Sequence, residues 1–228
     1  MKDPGSVPQR PFALPPGATE VVLVRHGASA AAVRDAPFPL VDGRGDPPLA
    51  DDGVRQAEAV GRRLADAGLS KLFVTPLQRT HQTAVPLAAA TGLEPVVVPE
   101  LIEVGMGEWE GGEYRFRVQA GDPLLARVFA EERWDVIPGA ESSEALEERV
   151  RAGIARIVAE TGPDATAAAV VHGGIIGEVC RIAVRSHPFA FVHADNGSLT
   201  RIVVLDGRWL LRSFNDICHL PVVTGPAG

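Results

Sequence analysis

Apolar positions fall into two patterns. Glu20–Val24 (EVVLV), Leu72–Val74, Val96–Val98 and Ala167–Val171 (AAAVV) are short continuous runs. Runs of this length predict buried strands with both faces covered, as in a parallel sheet. Between them the apolar residues recur every three or four positions, the helical period. One such segment starts at Asp51 or Asp52, read as its cap, and runs to about Ala67, with Val54, Ala57, Val60 and Leu64 on one face and Gly68 behind it. A second runs from about Leu77 to Thr91, closes at Gly92, and carries Pro86 as a kink site. Ser142 or Ser143 opens a third that reaches about Glu160, with Leu146, Val150, Ile154, Ile157 and Val158 apolar. A fourth spans Ile175 to Val184.

The stretch from Gly111 to Arg133 reads as helical but weakly patterned, and residues 33–50 read as a long Pro/Gly-rich loop. Leu199–Leu205, then Asp206-Gly207, then Trp209–Phe214 is the signature of a hairpin with a tight turn. Strands alternating with helices predict an α/β protein: a three-layer α/β/α sandwich around a mostly parallel, mixed sheet with helices on both faces. No internal repeat or second core is visible. Residues 1–19, rich in proline, read as an N-terminal arm, and 20–228 as a single catalytic domain.

Composition narrows the function classes. With 228 residues, 46% hydrophobic and 22% charged, the chain is long enough for one sizeable core. No apolar run approaches the ~20 residues that span a bilayer, and the proline-broken N-terminus lacks the apolar stretch of a secretory signal. A cytoplasmic address with no membrane partner is expected. The formal net charge of -7 argues against a dedicated nucleic-acid binder. A local group of arginines can still hold a small anion. Cys180 and Cys218 form no CxxC, and compact metal-ligand spacings such as HExxH are absent, so neither a disulfide scaffold nor a metal site is expected. The glycines from Gly105 to Gly111 miss the dinucleotide-loop spacing and follow no strong strand.

Candidate chemistry sits where strands end. In open α/β sheets, ligands gather beyond the carboxyl ends of the strands. Two strands end alike, at Arg25-His26-Gly27 and at His172-Gly173-Gly174. A third ends at Thr75-Pro76, with Arg79 one helical turn on. Each histidine alone could be a polar terminator. The repeated strand-His-Gly geometry brings two histidines and two arginines toward one edge of the sheet.

Over about Val21 to Leu220 the sequence resembles the histidine phosphatase superfamily, in its phosphoglycerate-mutase-like branch. The resemblance rests on Arg25-His26-Gly27, on Asp46, Pro48, Leu49, Gly53, Gln56 and Ala57, and on the block from Pro76 to Ala84 with Arg79, Gln82 and Thr83. Further along come Glu103, Gly107, Trp109, Glu110 and Gly111, then Glu141-Ser142 with Arg149. His172-Gly173-Gly174, Asn196-Gly197-Ser198, Asn215 and His219-Leu220 complete the order. It implies phosphoryl transfer through a phosphohistidine on His26, with no cofactor or metal. Arg25, Arg79, His172 and Gly173 would hold the phosphate, and Glu103 would act as acid and then base, with Glu108 and Glu110 as rivals. His81, His187, His193 and His219 are read as structural or surface residues.

The sequence departs from the family where a Glu or Gln and an Asn commonly follow Arg-His-Gly: here they are Ala28 and Ala32. Arg34, Arg44 and Phe38, in the longer loop before Asp46, are candidate replacements for those lost contacts. The interval between Glu103 and Glu141 is short, and its basic residues are Arg115, Arg117, Arg127 and Arg133. Hydrolysis of a small phosphorylated metabolite is therefore expected, ahead of mutase-type transfer or a phosphate-binding module with little catalysis. A homodimer is compatible with the sequence, although no apolar stripe argues for one.

Overall fold

The computed structural model describes residues 9–220; the first eight positions of the proline-rich arm and the last eight of the chain lie outside the described residues. In chain order the strands are β1 (Thr19–Arg25), β2 (Leu40–Val41), β3 (Arg44–Gly45), β4 (Leu69–Val74), β5 (Pro95–Val97), β6 (Ala165–Val171), β7 (Leu199–Leu205) and β8 (Arg208–Asp216). The helices are α1 (Asp51–Leu64), α2 (Gln78–Thr91), α3 (Glu113–Ala120), α4 (Pro123–Glu131), α5 (Ser143–Thr161) and α6 (Gly173–Val184). Six strands form one sheet in the order β5-β4-β6-β1-β7-β8. The first three pairings are parallel and the last two antiparallel. The expected mostly parallel, mixed sheet is present.

Alternation along β1 shows why its apolar run is continuous. Val22 and Val24 pack with Val60, Leu64, Ala84 and Leu87 of α1 and α2 on one face. Val21 and Leu23 point to the opposite face, into a core with Val150, Ile154 and Ile157 of α5 and Ile175, Ile176 and Val179 of α6. All four valine and leucine side chains are fully buried. Alanines at 167, 168 and 169 keep the centre of β6 thin, so helices close over both sides. Gly61 lets α1 and α2 meet: a Cβ there would come within 2.8 Å of the Pro86 side chain.

Several boundaries differ from the pattern reading, for local reasons. Helix α1 is capped by Ala50 without a side-chain bond, while Asp51 and Asp52 fill its first turn, where they favour the helix dipole. Its buried stripe begins at Gly53, not at Val54, which is exposed. The weakly patterned stretch from Gly111 resolves into α3 and α4, parted by Gly121 (φ +63°) and by Asp122, whose side chain caps α4 at the Leu124 N–H. The expected loop at 33–50 contains the small hairpin β2–β3. Its turn, Asp42-Gly43, has φ of 48° and 73°, the same left-handed pair as Asp206-Gly207 in the β7–β8 hairpin. The described part of the arm has no helix or strand before β1, and its Phe12 ring lies under the Arg212 guanidinium at 3.5 Å.

Candidate active site

Strands β4, β6 and β1 are parallel neighbours, so their carboxyl ends lie side by side. Thr75 follows the first, His172 the second, and Arg25-His26 ends the third. The His26 N–H donates to Val171 O at 3.0 Å, which ties the loop that begins at His26 to the end of β6. Gly27 and Gly53 bring the start of α1 against this loop. A Cβ on Gly27 would meet Gly53 O at 2.3 Å, and one on Gly53 would meet Ala28 O at 2.0 Å. Thr83 Oγ1 accepts from the Gly27 N–H, Gln56 Oε1 from the Ala28 N–H, and the Asn196 amide donates to His26 O. Every turn of the loop is therefore fastened to a different element.

The His26 ring is buried, with Nδ1 2.7 Å from Gly27 O. That contact puts the ring proton on Nδ1 and leaves the lone pair on Nε2. The Arg79 Nε–H points at this lone pair from 3.2 Å. Burial, then the Arg79 and Arg25 guanidiniums, hold the His26 imidazole well below the ordinary histidine pKa, against the Gly27 carbonyl, which raises it. His26 is accordingly a neutral imidazole. Arg79 is braced by Gly45 O at 2.9 Å and by Asp46 at 3.9 Å. Asp46 itself takes the N–H of Gln78, fixing the start of α2.

His172 stands edge-on to His26, ring centroids 5.2 Å apart, and is fully buried. Its Nε2 lies 2.9 Å from Thr75 Oγ1, while its Nδ1 has no partner among the described residues. Burial and the charges of Arg79 and its neighbours depress this pKa well below the ordinary value too. Arg25 donates through Nη1 to Ala194 O, and its buried Nε is likewise unpartnered. Gly173, the first residue of α6, leaves room for that guanidinium: a Cβ would sit 3.3 Å from Nε. Unpaired buried donors cost roughly 1–3 kcal/mol each. Two of them beside a neutral histidine form a cradle for an anion.

Glu103 lines the same cleft of about 410 Å³ as Arg25, His26 and Arg79. Gly174 makes space for it, since a Cβ there would be 2.7 Å from the carboxylate. The segment carrying Glu103 is clamped from behind. Arg149 donates to the carbonyls of Glu100, Ile102 and Glu103 and forms a two-pronged pair with Glu141 at 2.6 and 2.8 Å. Burial acts to raise the Glu141 carboxyl, but Arg149, the Gly105 N–H and Arg44 outweigh it and hold it below the usual value. Of the rival carboxylates, Glu110 is bonded to the N–H groups of Gly45 and Met106, and Glu108 is exposed.

The two loop arginines lie elsewhere. Arg34 covers the Phe116 ring at 4.5 Å, in a shallow depression with Glu113 and Arg117. Arg44 stands behind Glu103, donating to its carbonyl and to Asp42 O. Neither lines the cleft, because the β2–β3 hairpin turns the loop back before Asp46. The arginine that does line it is Arg115 of α3, held by Ala30 O and Ser29 Oγ, with Phe38 5.5 Å away. Nothing in the pattern of that segment singled it out. Tyr114 also borders the cleft unanticipated, and Asp195 and His193, the latter read as structural or surface, wall an adjoining cavity that shares Arg25 and Glu103 with it.

Comparison with known proteins bears on the family and the fold. A mycobacterial relative called a bifunctional protein, Rv2228c of Mycobacterium tuberculosis, is 35% identical over 61% of this chain, but the match spans only 37% of that protein's length. Probable phosphoglycerate mutase GpmB of Yersinia pestis is 29% identical over 88% of this chain and 94% of its own. The solved mycobacterial glucosyl-3-phosphoglycerate phosphatase Rv2419c superposes with a TM-score of 0.70 at 26% identity, covering 87% of this chain and 99% of that one. A phosphoglycerate mutase from Bacillus anthracis shares the fold, with a TM-score of 0.73 at 21% identity over 90% of this chain and 96% of its own. The family model for the histidine phosphatase superfamily (branch 1) matches residues 21–217, and the chain belongs to that superfamily.

Proposed function

We propose that the protein hydrolyses a small phosphomonoester through a phosphohistidine on His26. The observation that carries this is the neutral, buried imidazole whose Nε2 lone pair faces only the Arg79 Nε–H among the described residues, next to the unpartnered donors Arg25 Nε and His172 Nδ1. Phosphate oxygens engage those donors and draw the Arg79 guanidinium off Nε2. Nε2 attacks phosphorus, the ester P–O bond breaks, and the departing oxygen takes a proton from the Glu103 carboxyl. The Glu103 carboxylate then deprotonates a water, which attacks phosphorus as the P–N bond breaks and the neutral ring returns. Throughout, Gly27 O keeps the proton on Nδ1. Guanidiniums fixed before the reaction stabilise the charge spread over the equatorial oxygens, the largest contribution in phosphoryl transfer.

The test is turnover of p-nitrophenyl phosphate. Wild-type hydrolysis, inhibition by orthovanadate and loss of turnover in His26→Ala support the proposal. Unchanged turnover in His26→Ala overturns it, and no turnover by the wild type favours a phosphate-binding module.

A mutase reading has one observation in its favour, the 29% identity to a protein named as a probable phosphoglycerate mutase over nearly its whole length. Conversion of 3-phosphoglycerate to its 2-isomer without phosphate release, dependent on a bisphosphate primer, would replace hydrolysis as the main activity.

A further inference from the structure

The cleft has two lobes that meet at Arg25, Glu103, Met106 and Tyr114. One contains His26, Arg79 and Arg115. The other, about 280 Å³, extends beyond Glu103 and is walled by Tyr114, Phe129, Trp134 and His193. These rings belong to one connected series. Trp109 touches Tyr114, Tyr114 meets Trp134 edge-on at 6.5 Å, and Trp134 lies 4.7 Å from Phe189. Phe189 meets Phe129, whose other neighbour, His193, stacks on it at 6.0 Å and 18°. Aromatic residues are only 5% of the chain, yet its single tyrosine and two of its three tryptophans are in this series. Phe129 remains 36% exposed, which serves no core.

Charge in this lobe is one-sided. Its carboxylates are Glu103 and Asp195, and its one guanidinium, Arg25, faces the phosphate cradle. A second anionic group on the substrate would meet Asp195 here, and would have to reach Arg115 in the other lobe to find a further counter-charge. A cavity of about 150 Å³ suffices to bind benzene. A lobe of about 280 Å³ therefore has room for a fused two-ring system.

We infer that this lobe seats the alcohol half of the substrate and selects a flat, uncharged ring, so that the substrate is the phosphomonoester of an aromatic or heteroaromatic alcohol. The inference rests on the phosphatase reading for its placement of the phosphate. Rings offered to Phe129, Tyr114 and Trp134 gain stacking beyond simple burial, about 10-fold in affinity for one good pair.

Three primary alkyl esters of similar leaving-group chemistry test this: 2-phenylethyl phosphate, glycerol 3-phosphate and 3-phosphoglycerate. The expected kcat/KM order follows that sequence, with about 10-fold between the first two, and Phe129→Ala erases the preference for the ring. Equal values for all three, a preference for 3-phosphoglycerate, or a ring preference undiminished in Phe129→Ala would overturn the inference while leaving hydrolysis standing. If no ester is hydrolysed, the phosphatase reading fails. The subsite is then decided by equilibrium titration of His26→Ala protein, followed by tryptophan fluorescence. Tighter binding of 2-phenylethyl phosphate than of 3-phosphoglycerate upholds it, and equal or inverted affinity removes it.

Discussion

Thr75 shows how much one hydroxyl can decide. His172 is buried and neutral, so one ring nitrogen carries a proton and the other does not. When Thr75 Oγ1 donates to Nε2 across 2.9 Å, the proton must sit on Nδ1, the unpartnered nitrogen of the cradle. Thr80, 3.2 Å from Thr75 Oγ1, can take the Thr75 hydrogen instead when His172 becomes protonated. The same pair thus supports either charge state of the ring. Thr75→Val keeps the shape and removes the donor. Losing a hydrogen bond to a charged phosphate is worth about 1.5–3 kcal/mol, so kcat/KM should fall about 10- to 100-fold. Thr75→Ser should restore most of it, and ¹⁵N shifts of the His172 ring should report the tautomer in each variant. Wild-type kcat/KM in Thr75→Val would dismiss this role. The role was hidden in the sequence: Thr75 reads as the residue that ends a strand before Pro76, and only the parallel pairing of β4 with β6 puts it on His172.

At the level of elements, the segment that carries Glu103 depends on a helix it does not belong to. Arg149, in the second turn of α5, holds three successive parts of that segment by their carbonyls and is itself oriented by Glu141. Arg149→Lys keeps the charge but cannot reproduce the fork of donors. Since Arg25, Arg79 and His172 lie on other elements, the substitution should lower kcat about 10-fold or more with little change in KM, because a misplaced acid costs chemistry and not phosphate binding. A raised KM with unchanged kcat would show that the clamp serves substrate binding instead. The strands that carry His26, His172 and Thr75 were legible because continuous apolar runs ended in polar residues at a place where sheets bind ligands. The elements between them were not. Which of Arg34, Arg44 and Arg115 enters the cleft depends on the Asp42-Gly43 reversal and on the rotation of α3, and neither leaves a periodic trace in a segment of mixed residues.

For the whole molecule, the cradle at the sheet edge ties stability to pH. The sheet order brings β4, β6 and β1 together, and this buries His26 and His172 beside two guanidiniums. Both are depressed below the pKa of about 6.5 that they regain in the unfolded chain. A depressed value means that the unfolded state binds protons the folded state refuses. The stability these neutral rings permit is therefore complete above about pH 6.5 and is lost as pH falls toward their folded values. The slope approaches about 1.4 kcal/mol per pH unit for each histidine. His219 is shifted the same way, but as a half-buried ring it adds less. Glu141, held low by Arg149, begins to contribute only in the more acidic carboxylate range. Urea denaturation at several values between pH 7.5 and 5 should give unfolding free energies that decline below pH 6.5 with the slope of about two protons. His172→Gln should remove one of them whatever its effect on absolute stability, because glutamine cannot titrate. A wild-type curve that is flat between pH 6.5 and 5 would mean that the two imidazoles accept protons inside the fold, and an attacking lone pair on His26 would then not be secured by burial and neighbouring charge.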